Sequence, residues 1–101
     1  MSHTINFDSI NRAALQVLPA ILRRLLPGGK VRAGEYVALN PTRADRRFGS
    51  FKVNLRSGKW ADFATSDAGG DVISLIAYLE KRSQSDAARL LAGMLGFEVR
   101  T

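Results

Sequence analysis

NPTRADRRFGSFKVNLRSGKWADFATSDAGGDVISLI, running from Asn40 to Ile76, holds the clearest local pattern in the chain. Phe51, Val53 and Leu55 are apolar, and Lys52, Asn54 and Arg56 alternate with them. A period of two marks a strand with one buried face. Ser57-Gly58 supplies a turn, and the chain returns through Trp60 to Phe63. Loop length then fixes which side chains oppose each other. A two-residue loop puts Asp62 on the apolar face against Val53 and sets Arg56 opposite Lys59. A three-residue loop of Arg56, Ser57 and Gly58, with Gly58 left-handed, sets Phe51 opposite Phe63, Val53 opposite Ala61 and Lys52 opposite Asp62. The second register is the expected one. It places Trp60 beside Asn54 on the polar face, near Lys52 and Arg56.

On the carboxyl side of the hairpin, Gly69-Gly70-Asp71 reads as a turn ending in a helix N-cap. The helix expected from Val72 to Lys81 buries Ile73, Ile76, Ala77 and Leu79. Ser83 caps a last helix with Ala87, Leu90, Leu91, Met94 and Leu95 as its apolar stripe and Gly96 as terminator. Phe97 to Thr101 reads as a short strand or a truncated edge. Towards the amino terminus, Asn40 to Gly49 is a loop rich in arginine. Lys30 to Arg32 and Glu35 to Leu39 read as short strands around Ala33-Gly34. Asp8-Ser9 starts a helical segment with Ile10, Ala13, Ala14, Val17 and Leu18 at helical spacing. Pro19 makes this two helical pieces or one kinked helix. Ile21, Leu22, Leu25 and Leu26 face the core, and Pro27-Gly28-Gly29 ends the segment. The expected fold class is α+β: a small antiparallel sheet flanked by an N-terminal helical segment and two C-terminal helices, without metal. The expected organisation is one domain over 1–101, with a helical segment at 1–29 and a sheet-bearing module at 30–101.

The chain has 101 residues, 46% hydrophobic and 24% charged, which suits a modest folded core. No apolar run approaches the roughly 20 residues that span a bilayer. Met1 to Asp8 lacks the charged and apolar regions of a signal peptide, so the cytoplasm is the expected compartment and no membrane partner is expected. There is no cysteine, and His3 is the single histidine. Four-ligand zinc coordination is therefore excluded, and no cofactor is expected. The formal net charge of +6 favours an anionic partner such as nucleic acid.

The distribution of that charge is informative. Lys52, Asn54, Arg56 and Trp60 share the polar hairpin face in the expected register, with Arg43, Arg46, Arg47 and Lys59 nearby. Cations neutralise phosphates, and an exposed aromatic stacks on unpaired bases. These eight residues are the candidate nucleic-acid contacts. Asp67-Ala68-Gly69-Gly70-Asp71 is read as a tight turn and cap, since its two acids repel phosphate. No nucleophile sits beside a base, so no catalytic activity is expected.

Ser50-Phe51-Lys52-Val53-Asn54, Gly58, Trp60, Phe63 and Gly69-Gly70-Asp71-Val72-Ile73 together resemble the amino-terminal zinc-binding domain of bacterial and phage DNA primases. The similarity covers roughly Tyr36 to Phe97 and includes the Asp86-to-Ala92 run of the last helix. In that family a Cys-Pro-x-His pair and a Cys-x-x-Cys pair flank the hairpin. The corresponding positions here are Asn40, Arg43, Asp62 and Thr65, which gives a degenerate zinc ribbon. The resemblance implies that hydrogen bonds and an Arg43–Asp62 ion pair replace the metal. It also implies a module that binds single-stranded DNA during replication of a phage, plasmid or integrated element, alongside a primase or helicase domain. The alternative is a protein–protein docking module in a replication complex, using the amino-terminal helix, with no direct DNA contact.

Overall fold

The computed structural model describes residues 6–96. The short strand or edge expected at 97–101 lies outside them. Two helices come first: α1 (Phe7–Gln16) and α2 (Leu18–Leu25). Asn6 caps α1, its side chain accepting from the Ser9 N–H at 3.0 Å. Val17 separates the helices, and Pro19 falls in the first turn of α2, where its missing N–H costs nothing. The two-piece alternative is therefore the observed one. Ile10, Ala14, Leu18, Ile21 and Leu22 face inward, whereas Val17 is 45% exposed.

Five strands follow, β1 (Lys30–Arg32), β2 (Glu35–Ala38), β3 (Phe51–Asn54), β4 (Trp60–Asp62) and β5 (Asp67–Gly69), and then α3 (Val72–Glu80) and α4 (Gln84–Leu95). The strands form an antiparallel sheet in sequence order. The expected α+β class is thus the observed one. The β1–β2 turn has positive φ at both Ala33 and Gly34, as a two-residue primed turn requires. β5 was read from sequence as part of a turn; it is a third hairpin strand, paired with β4.

All the helices contribute to one apolar cluster with a single face of the sheet. Tyr36, Ala38, Phe51, Val53 and Trp60 meet Leu18, Leu22, Ile73, Ile76, Leu91 and their neighbours there. Polar contacts lock the layers. The Tyr36 hydroxyl donates to the Leu26 carbonyl at the end of α2, 2.7 Å away. The Asn11 side chain on α1 accepts from the Ile73 N–H in the first turn of α3 at 3.0 Å. Asp71 and Ser74 cap α3 reciprocally, and Ser83 caps α4.

The central hairpin corrects the expected register by one residue. Phe51 opposes Asp62, Lys52 opposes Ala61 and Val53 opposes Trp60. The loop spans four residues, Leu55 to Gly58, with the Gly58 N–H donating to the Asn54 carbonyl at 2.8 Å. The cause is Asn54. Its side-chain oxygen accepts from the Arg56 and Ser57 N–H groups at 2.9 and 3.0 Å and so builds the turn itself. A one-residue slip moves every β4 side chain to the other face. Trp60 and Asp62 are consequently buried, and Phe63 is 71% exposed.

Candidate nucleic-acid interface

The sheet has one face under the helices and one open face. Strand alternation puts Lys30 and Arg32 of β1, Glu35 and Val37 of β2, Lys52 and Asn54 of β3 and Ala61 of β4 on the open side. Register aligns Lys30, Val37, Lys52 and Ala61 in a row across four strands. Val37 is buried between the two lysines of this row, as expected where lysine stems lie over an apolar residue. Lys30, Arg32 and Lys59 are exposed. Lys52 is half-buried, with its ammonium 4.0 Å from Glu35, the one acid on this face among the described residues.

Two aromatic rings accompany these cations. Lys30 and Arg32 lie over the Phe48 ring at 5.8 and 5.2 Å, and Lys52 lies over the Phe63 ring at 5.9 Å. Phe48 is 38% exposed. A shallow depression of about 190 Å³ lined by Glu35, Lys52, Asn54, Lys59, Trp60, Ala61 and Phe63 adjoins the second ring.

The candidate residues divide clearly. Lys52 and Asn54 stand on the open face, Lys59 and Arg56 are exposed around the β3–β4 loop, and Arg46 and Arg47 are exposed in the loop that leads to Phe48. Trp60 does not join them. It is 5% exposed, its ring centroid is 4.6 Å from that of Tyr78, and its indole N–H donates to the Ser74 hydroxyl at 3.0 Å. Its place on the polar face depended on the three-residue loop, so its proposed stacking role falls with that register. Gly69 lies opposite Trp60 in the ladder, and a Cβ there would meet the indole nitrogen and the Ser74 hydroxyl.

Arg43 is also committed elsewhere. Its Nε donates to Asp62 Oδ2 at 2.9 Å, and a terminal nitrogen reaches Asp62 Oδ1 at 3.3 Å, Asp45 at 3.2 Å and the Ser50 hydroxyl at 3.2 Å. The anticipated Arg43–Asp62 ion pair is therefore present. Asp62, fully buried, also accepts from the Asn40 side-chain amide at 2.8 Å and the Ala64 N–H at 2.9 Å. Burial by itself raises the Asp62 carboxyl. Hydrogen bonds from Arg43, Asn40 and Ala64 outweigh it and hold the group at about 2, below its usual 3.8. The same pairing raises Arg43 above its ordinary value. Thr65 donates its N–H to the Asp62 carbonyl at 3.2 Å, and its hydroxyl accepts from the Asp67 N–H at 3.2 Å. Tyr78 completes the cluster: its hydroxyl accepts from Asn40 at 2.8 Å and donates to Asp67 at 2.7 Å. Among the described residues, no buried side-chain polar atom lacks a partner.

This donor set does not fit zinc. It offers two buried carboxylates that are already engaged, Asp62 by a guanidinium and two amides and Asp45 by Arg43 and the Asn40 N–H. Among the described residues, no group of three or more His, Cys, Asp or Glu side chains could hold a metal ion, and no helix is long and apolar enough to cross a membrane.

Lys30, Arg32, Phe48 and Phe63 were not among the sequence candidates. Lys30 and Arg32 carried a signal, since two cations at a spacing of two share a strand face. Phe63 was hidden by the register. No protein-family model matches the chain, and no curated protein does.

Proposed function

We propose that this protein is a non-catalytic nucleic-acid-binding module that takes single-stranded DNA on the open face of its sheet. The observation that carries the reading is the row Lys30–Val37–Lys52–Ala61, with Arg32, Lys59 and two exposed phenylalanines around it. Cations set across strands track a phosphate backbone, and the small or apolar positions between them leave room for bases. The sequence resemblance supports a place in replication, as a primase-type ribbon whose zinc ligands have given way to a polar cluster. The Arg43–Asp62–Asn40 cluster supports that history, because the positions that resemble the lost ligands converge on one buried carboxylate.

The test is a titration of labelled single-stranded and duplex oligonucleotides at two ionic strengths. Affinity is expected to fall steeply as salt rises, with a log–log slope of about −2 to −4 for the few cations available. Lys52→Glu and Lys30→Glu should each weaken binding with little regard to base sequence. An affinity indifferent to salt, as an apolar docking site would give, rejects the reading.

A further inference from the structure

We propose that Phe48 and Phe63 are the base-stacking platforms of this face, holding two non-adjacent unpaired bases of one strand. The inference rests on the nucleic-acid reading above and adds which side chains read bases, and in what spacing. Phe63 follows β4 and has no packing reason to be aromatic. It is 71% exposed and lies outside the apolar core. Its neighbour in the sheet is instead a cation: the Lys52 ammonium covers one side of the ring at 5.9 Å. Most of the ring remains open beside the depression of about 190 Å³. Phe48, 38% exposed, likewise has cations over its ring, Lys30 at 5.8 Å and Arg32 at 5.2 Å.

Each ring is thus an aromatic surface with positive charge at hand. A base stacked on such a ring has its own phosphate within reach of the neighbouring cation, so stacking and charge neutralisation reinforce each other. Isolated solvent-exposed phenylalanines are common and need no explanation. Two on one cationic face, each paired with cations from the sheet, do call for one.

Spacing decides the substrate class. The cations at Phe48 come from β1 and the cation at Phe63 from β3, two strand intervals apart, or about 10 Å. Stacked bases in a duplex repeat every 3.4 Å or so and keep their faces covered. Neither ring can reach the face of a base inside intact duplex. A single strand running across the sheet, with bases turned inward, can place one base on each ring and leave at least one between them. The expected ligand is a splayed single strand, with a minimum footprint of about three to five nucleotides.

The experiment measures oligothymidylate binding, by length and against a matched duplex, for the unaltered protein and for Phe63→Ala, Phe63→Leu, Phe63→Trp, Phe48→Ala and Lys52→Glu. Phe63→Ala and Phe48→Ala are each expected to lose about 5- to 150-fold in single-strand affinity with duplex affinity unchanged. Phe63→Leu should fail like Phe63→Ala because it keeps apolar bulk without a π face; Phe63→Trp should bind as well or better. Affinity should jump as the oligomer lengthens through the expected footprint. Thermal melts are expected to match for the Phe63 variants, because that side chain is outside the core. If Phe63→Ala and Phe48→Ala bind normally while Lys52→Glu does not, the platform assignment is wrong and the nucleic-acid reading stands. If the unaltered protein binds no oligonucleotide, both are wrong.

Discussion

Arg43 and Asp62, 19 residues apart in sequence, meet in a hydrogen-bonded ion pair, with Nε 2.9 Å from Oδ2. The carboxylate is completely buried and the arginine side chain is 30% exposed, so one partner has surrendered its water and the other only part of it. That asymmetry makes the pair unforgiving of single changes. Asp62→Ala strips acceptors from Arg43, Asn40 and the Ala64 N–H together and should cost roughly 2–4 kcal/mol. Urea unfolding of the two proteins, read by Trp60 fluorescence, measures it. Replacing both partners, as in Arg43→Met with Asp62→Leu, should cost less than the sum of the two single changes.

The same carboxylate gives the protein a defined acid sensitivity. Its folded value of about 2 lies below the ordinary 3.8, so the folded state binds this proton less readily than the unfolded chain. The resulting stabilisation is complete above about pH 4 and disappears as pH falls through 2. The stability gap between the native protein and Asp62→Asn should therefore be constant near neutrality and narrow across that window. A gap that widens on acidification contradicts the assignment.

Trp60→Ala is a core deletion. Removing a side chain that packs on Phe51 and Tyr78 should cost about 3–5 kcal/mol. Trp60→Phe keeps the aromatic contact but loses the bond to Ser74, and should cost less. Oligonucleotide affinity of Trp60→Phe, measured where it remains folded, should equal that of the native protein.

Gly69→Ala should destabilise by about 1–3 kcal/mol, since the new methyl enters space held by the indole nitrogen and the Ser74 hydroxyl. Gly70→Ala is the control, because its Cβ position is open. Thermal melts of the two variants should separate accordingly.

Glu35 opposes the proposed ligand. It sits 4.0 Å from the Lys52 ammonium and adds negative charge to a face that is otherwise cationic. Glu35→Gln should raise single-strand affinity by about two- to fivefold at low salt, with the gain fading as salt increases. A fluorescence anisotropy titration at two salt concentrations checks both parts.

Much of the architecture was readable because local chemistry and tertiary packing agreed. Pro19, the Asp71 and Ser83 caps and the Phe51–Val53 alternation each act within a few residues, and each appears where expected. The hairpin register was misread because Asp62 looked unacceptable on an apolar face. Its acceptability depends on Arg43 and Asn40, which arrive from a distant loop. The two expectations were in tension, since an Arg43–Asp62 pair needs Asp62 turned inward. Resolving that conflict would have recovered the register, the burial of Trp60 and the exposure of Phe63 together. β5 was missed because Asp67-Ala68-Gly69 has no apolar alternation; pairing with β4 alone makes it a strand.

The bond from the Ile73 N–H to Asn11 has a practical corollary for anyone wishing to transplant the sheet. Trimming the protein at Lys30 would strip α3 of a partner for one of its first amides and uncover the apolar side that α1 and α2 now shield. The helical segment is better regarded as a built-in scaffold for the sheet, and a transferable unit has to keep α1 and α2 together with the Asn6 cap.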